Sequence, residues 1–401
     1  MLGISRWTEK GGSYRTVQRF FGKAHDWAKL RWLLIKSHYG ANPPGTWIVT
    51  GDEVVVTKSG KETFGVGRFF SSIQNQPVPS LCFLNISLVH VESCHSYPLV
   101  VEQLTRQEVK DSAPKTAGQT ITTNKGGRPK GSKNKNRADV VLSPFQLQLQ
   151  GGIRQALSLI YGDIRPSHFV YDGALGNNGG LQLVRQTGLH IISKLRHDST
   201  LYFTYSGEYS GKGKPKKYGA RLTVDRLMPG HLRSEETEKG IRTRIYQVSV
   251  WHKSIPSLIN VVVILKTKLA TGKSAKVLLF SDDLDLSHDK LINYYHLRFQ
   301  IEFNFRDAKQ YWGLEDFMNI KQGQVNNAAN FSLFMVTFSQ LLLPQLHDMH
   351  IESMLDLKTI FRARKYTRRI INSIGINAEK FLIDDQIFEV AEIGRIHAKA
   401  A

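Results

Sequence analysis

Residues 291–312, LINYYHLRFQIEFNFRDAKQYW, constrain this chain more than any other stretch. At about 3.6 residues per turn, Tyr295, Glu302 and Lys309 stand seven apart and drift only about 20° from one to the next, and Arg298 precedes Glu302 by one turn. A continuous helix would carry Tyr, Arg, Glu and Lys on one face. Leu297, Phe299, Ile301, Phe303 and Phe305 are expected to anchor that helix in a core while the polar face looks into a cleft. Ser287, with Asp289 behind it, is a suitable N-terminal cap. Asp307, turned about 140° from Glu302, is expected to point elsewhere. A carboxylate flanked by Arg and Lys suits an enzyme that binds a divalent metal and a phosphodiester together. The competing reading is an amphipathic helix with a solvated charged face.

Two earlier acids stand where strands end. WIVTGDEVVVTKSGK places Asp52 inside or at the end of an apolar, β-branched run, where a buried carboxylate needs a cation or metal partner unless it serves as a turn or salt-bridged residue. SHFVYDGALGNNGG reads as a short strand ending at Asp172 in a glycine-rich turn, the position where α/β sheets place their chemistry and where a turn cap is the plainer alternative. The chain carries 54 Lys and Arg against 34 Asp and Glu, a net charge of +20 that calls for a polyanionic partner, nucleic acid first. No run of about 18 apolar residues spans a membrane, and neither a leader nor a disulfide framework is indicated, so the expected compartment is the bacterial cytoplasm with access to DNA. His90, Cys94 and His95 lack zinc-ligand spacing.

The spacing Tyr-x2-Arg-x3-Glu-x6-Lys, met at Tyr295, Arg298, Glu302 and Lys309, resembles the signature of the DDE transposases of bacterial insertion sequences, IS-four type. The resemblance implies an α/β fold: a ribonuclease-H-like mixed sheet flanked by helices and interrupted by a β-strand insertion, with short helical regions at either end. It implies that Asp52, Asp172 and Glu302 hold two Mg²⁺ (or Mn²⁺) ions about 3.5–4 Å apart, one activating water or a DNA 3′-hydroxyl and the other stabilising the leaving oxygen. Arg298 and Lys309 would fix scissile-strand phosphates, with Tyr295 offering a ring and a hydroxyl. The implied substrate is double-stranded DNA, both transposon ends and target, cut and joined by a homodimer. In relatives an insertion residue stacks on an extruded base; Trp251 matches by position and type, with a core Trp as the alternative. A DNA-binding relic without catalysis, or a nuclease without strand transfer, fits the same charge.

The chain divides accordingly. Residues 1–46 read as two short helices, either the tail of a helical DNA-binding domain, longer in the resembling family, or a packing appendage. Residues 47–184 form the first part of the core, 185–280 the β insertion, 281–345 the second part of the core, and 346–401 a basic helical region. Residues 228–239 read as a loop within the insertion. A polar segment, 102–140, interrupts the core, and its run KGGRPKGSKNKNR holds six basic residues and no acid. Gly127-Arg128-Pro129 there resembles an AT-hook, which lays Arg in the narrow minor groove of A·T-rich DNA; Lys130 and Lys133 flank it. The alternative is a solvated basic loop touching phosphates. Arg128→Ala should therefore weaken binding to A·T-rich duplex more than Lys133→Ala in a gel-shift titration, and equal losses would reduce the hook to a generic cation.

Overall fold

The computed structural model describes residues 12–71, 74–105, 136–209, 211, 213–373 and 390. Two helices come first, α1 (Tyr14–Gly22) and α2 (Trp27–Tyr39), the second capped by the Asp26 carboxylate accepting from the Lys29 N–H. A meander follows: β1 (Trp47–Thr57), β2 (Gly67–Ser71), β3 (Gln76–His90) and β4 (His95–Leu104). Helix α3 (Pro144–Ile160) opens on a capping box between Ser143 and Gln146. Then come β5 (His168–Val170), α4 (Asn178–Arg185) and β6 (His190–Leu195). Six strands succeed them: β7 (Leu201–Thr204), β8 (Tyr218–Arg221), β9 (Leu232–Glu238), β10 (Ile241–His252), β11 (Leu258–Lys268) and β12 (Ser274–Ser281). Helices α5 (His288–Leu297), α6 (Gln300–Trp312), α7 (Gln322–Leu342) and α8 (Met354–Ser373) follow.

All the described strands join one mixed sheet, ordered β2-β3-β1-β5-β6-β12-β11-β10-β7-β8, with β4 also on β3 and β9 on β10. β1, β3 and β4 pair antiparallel, whereas β5 runs parallel to β1 and β6 parallel to β5. That order, β4-β3-β1-β5-β6 with helices on both faces, is a ribonuclease-H-like fold. The remaining strands continue the same sheet, since β12 pairs antiparallel with β6. The alternation of β1 sorts the two faces. Trp47 and Val49 pack with α2, α3 and α4, while Ile48 packs under α5 and Val54 and Val56 under α6 and α7.

The region between residues 291 and 312 is two helices, not one. Bonding tightens to i−3 where they meet: Phe299 N–H donates to His296 O, Ile301 N–H to Arg298 O and Glu302 N–H to Phe299 O. The break turns Phe299 (49 % exposed) and Phe303 (38 %) outward, leaving Leu297, Ile301 and Phe305 as the buried anchors. Two strands stand where none was expected. β9 occupies the expected loop at 228–239, and β4 reaches Leu104, inside the segment read as a polar loop from 102.

β4 also explains a fully buried cation. Pro98 has no N–H to give the ladder, and the register between β3 and β4 slips there, pairing Ile86 with Val100 and Ser87 with Pro98 so that Leu99 bulges. The Leu99 carbonyl accepts instead from Arg31 Nη1 of α2 at 2.9 Å, and Arg31 Nη2 donates to the Asn330 carbonyl and side chain of α7 at 2.9 and 2.6 Å. No carboxylate contacts Arg31 among the described residues, and burial pushes its guanidinium down to about 9. Arg31→Met should cost about 2–4 kcal/mol in urea unfolding with an unchanged slope, because it strands buried acceptors; adding Asn330→Leu should restore part of the loss.

Candidate active site

The carboxylates meet just past the end of the pairing between β1 and β5. Their parallel ladder pairs Val49 with Phe169 and Thr50 with Val170, an offset that carries on to bring Asp52 beside Asp172 on the face covered by α5 and α6. Asp52 lies within β1, opposite Asn85 of β3. Asp172 follows β5 directly, its Oδ1 accepting from the Ala174 N–H at 2.8 Å to cap a short 3-10 turn. Ser193 of β6 donates its hydroxyl to the Asp172 carbonyl and holds that end of the strand.

Arg298, at the junction of α5 and α6, bridges two of the acids. Its Nη1 lies 2.6 Å from Asp52 Oδ2 and its Nη2 lies 3.8 Å from Glu302 Oε1. The guanidinium also stands 5.9 Å from the centre of the Tyr295 ring, which is half-buried. Lys309 Nζ donates to the Val55 carbonyl at 2.9 Å and pairs with Glu315 at 2.8 Å. Glu53, Asp172, Glu302, Phe305, Arg306 and Lys309 line a cleft of about 970 Å³. Asp307 faces away from it and is buried against the core side of α6, with the Arg306 guanidinium on its Oδ1.

Burial pushes the Asp52 carboxyl up to about 6; Arg298 opposes that rise, and the charges on Asp172 and Glu302 add to it. Glu53 is raised by burial, with the Tyr171 hydroxyl holding it down and Asp52 and Asp172 pushing it up. The Tyr295 hydroxyl is raised by burial against the pull of Arg298. Partly buried carboxylates that raise one another even with a guanidinium beside them make a site short of cation. Hard carboxylate oxygens on Asp52, Asp172 and Glu302 are the donor set that Mg²⁺ or Mn²⁺ takes, so the residues fit such ions. Among the described residues no three His, Cys, Asp or Glu side chains are gathered tightly enough to enclose a metal, because Arg298 stands between Asp52 and Glu302.

The other sequence candidates lie apart from this cluster or beyond the description. Arg128, Lys130 and Lys133 lie outside the described residues, as does the AT-hook-like core. Trp251 sits on β10 opposite Tyr202 of β7, half-buried, with Lys217 Nζ 3.6 Å over its ring and its indole N–H on Thr204 Oγ1. One ring face is thus already covered by a cation. Two cleft residues escaped the sequence reading, Glu53 and Arg306. The double acid Asp52-Glu53 in an otherwise apolar strand was a signal for the first; nothing in the spacing singled out the second.

A model of the DDE superfamily endonuclease family matches residues 1–252, and the chain belongs to that family. The match takes in Asp52 and Asp172, whereas Glu302 lies beyond it and joins them through the fold. No curated protein matches the chain. Membership makes this a nuclease-type enzyme of a family that acts on DNA with divalent metals. Among the described residues no helix is long and apolar enough to cross a membrane.

The raised Asp52 has a consequence for folding. The folded protein takes up a proton that the unfolded chain, at the usual carboxylate value of 3.8, does not hold, so this group lowers stability as pH climbs from about 4 through about 6. Asp52→Asn should therefore raise the thermal midpoint of metal-free protein at pH 7.5 and raise it much less at pH 4.5; a loss at pH 7.5 would contradict the charge balance drawn here.

Proposed function

We propose that this chain is a DNA transposase of the cut-and-paste kind, which cleaves at the ends of an insertion sequence and joins those ends to target DNA. The observation that carries the reading is the gathering of Asp52, Asp172 and Glu302, the last two lining one cleft together with Lys309, and Arg298 standing between Asp52 and Glu302. The Tyr-Arg-Glu-Lys spacing adds to it, and so does the net charge of +20, which would draw a long duplex to the cleft. The transposing complex would be a homodimer in the cytoplasm, each copy holding one end.

Asp52, Asp172 and Glu302 would hold two Mg²⁺ or Mn²⁺ ions. Bound there, the ions would polarise the scissile phosphate and lower the proton affinity of the attacking hydroxyl. The remaining work falls to the chain. The Arg298 fork, released from Asp52, matches the oxygens of a phosphate and can clamp the cut strand. Lys309 supplies a point charge on the wall of the cleft. Tyr295, packed against Arg298, keeps that guanidinium directed at the cleft.

A nuclease that cuts without joining shares every one of these contacts, so the product decides between the two. Incubation with a duplex carrying the element's inverted repeats and a target plasmid should give Mg²⁺-dependent nicks followed by joined molecules. Nicks without joined product would leave the nuclease reading. Glu302→Gln, Asp52→Asn and Asp172→Asn should each lower nicking roughly 10³-fold or more and combine with little further loss, while a gel shift in Ca²⁺ stays intact. Asp307, being buried, is unsuited as a control; Asp289, exposed at the start of α5, should tolerate Asn without loss of nicking.

A further inference from the structure

The two aspartates lie past the end of the ladder that aligns them. Main-chain pairing between β1 and β5 stops at Thr50–Val170, and Asp52 and Asp172 each come two residues later. Side chains must hold that end of the seam. On the face opposite the aspartates, Tyr171 leaves β5, crosses over Gly51 and donates its hydroxyl to Glu53 Oε1 at 2.7 Å. A Cβ at position 51 would come within 2.9 Å of Phe169 Cζ and 3.0 Å of Tyr171 Cδ2, so glycine is what lets the ring lie across the strand. Phe169 backs the ring at a centroid distance of 5.8 Å and an angle of 24°, and Tyr171 is 1 % exposed. Held on both sides, the hydroxyl has little freedom to seek another acceptor.

Tyr171 and Glu53 are the sequence neighbours of Asp172 and Asp52. A strand alternates its side chains, so a bond that fixes Tyr171 against Glu53 on one face fixes the backbone from which the two aspartates project on the other. We propose that Glu53, acting through Tyr171, is a positioning residue that sets the spacing of the Asp52 and Asp172 carboxylates and thereby the cation affinity of the cleft. This rests on the reading that those carboxylates hold divalent ions. Groups that orient metal ligands without touching the metal typically change affinity about 10–100-fold when removed. The rival idea is that Glu53, which also borders the cleft, works by its own charge.

The two ideas separate on conservative variants. Tyr171→Phe keeps the ring and deletes the hydroxyl; Glu53→Ala deletes the acceptor; Glu53→Gln keeps an acceptor oxygen and removes the charge. Mn²⁺ binding to the full chain, followed through the spectrum of the free ion, gives a readout independent of activity, with Mn²⁺-dependent nicking and the thermal midpoint measured in parallel. Tyr171→Phe and Glu53→Ala should each weaken Mn²⁺ binding about 10–100-fold, Glu53→Gln should recover most of what Glu53→Ala loses, and the double variant Tyr171→Phe/Glu53→Ala should be no worse than either single one. Glu53→Gln as damaging as Glu53→Ala, with Tyr171→Phe unaffected, overturns the proposal in favour of charge. Unchanged binding in every variant, no Mn²⁺ binding by the parent chain, or a loss in Tyr171→Phe that follows its thermal midpoint, overturns it as well. A parent chain whose Mn²⁺ binding depends on the Tyr171–Glu53 bond yet never cuts DNA would instead defeat the transposase reading and leave the positioning role standing.

Discussion

Two pairs of residues join the halves of this protein's sheet. Along its order the meander of β2, β3, β1 and β4 meets everything from β5 to β8 at the parallel contact of β1 with β5, Val49 to Phe169 and Thr50 to Val170. A seam that short gains little from main-chain bonding. Its stability comes from the layers that span it, with Ile48, Val170 and Ile192 under α5 on one face and Val49, Phe169 and Ile191 under α3 and α4 on the other. At about 25 cal/mol per Å² of apolar surface, a handful of such buried side chains outweighs two pairs of net hydrogen bonds. Asp52 and Asp172 stand at the mouth of this seam, where the ladder gives out while the packing continues. There the two strands are joined through side chains, Tyr171 to Glu53, rather than through the main chain.

Charge is arranged around that mouth with a definite asymmetry. Arg298 sits among the acids and Lys309 at their side, but both are engaged with the protein itself, with Asp52 and Glu302 and with the Val55 carbonyl and Glu315. A ligand that brings its own cations and its own phosphates can exchange both sets of partners at once. The acids would pass to the ions and the bases to the phosphates. Such an exchange keeps Asp52 and Arg298 paired before and after, which lowers the penalty of holding those charges at a half-buried site.

How much of this was legible in the sequence depended on how local the signal was. Asp52 stood out because it interrupts an apolar strand run, Asp172 because it follows one at a glycine-rich turn, and Glu302 because its basic neighbours repeat at helical spacing. The break at Arg298–Phe299 could not, since no Gly or Pro marks it, and the outward turn of Phe299 and Phe303 followed from that break. β9, LRSEETE, escaped because an outer strand with one paired side carries polar residues that read as loop. β4 escaped because Pro98 argues against a strand unless a bulge absorbs it, and the bulge depends on Arg31, far away in sequence. The Tyr171–Glu53 bond joins residues 118 apart, and only the strand register reveals them as neighbours.

The packing of α2 sets a timetable for the growing chain. Trp27 donates its indole N–H to Asn327, 300 residues later, and Arg31 reaches Asn330 across 299. At about 5–20 residues per second on the ribosome, α2 waits roughly 15–60 s for the helix that covers it. Glu302 emerges late as well, long after the strands bearing the two aspartates have been made. During that interval the nascent chain has its first two acids and no third, and it exposes the tryptophan face of α2 to whatever binds apolar surface. A translation product broken off before α7 thus leaves the Trp27 indole and the Arg31 guanidinium without the partners that α7 supplies.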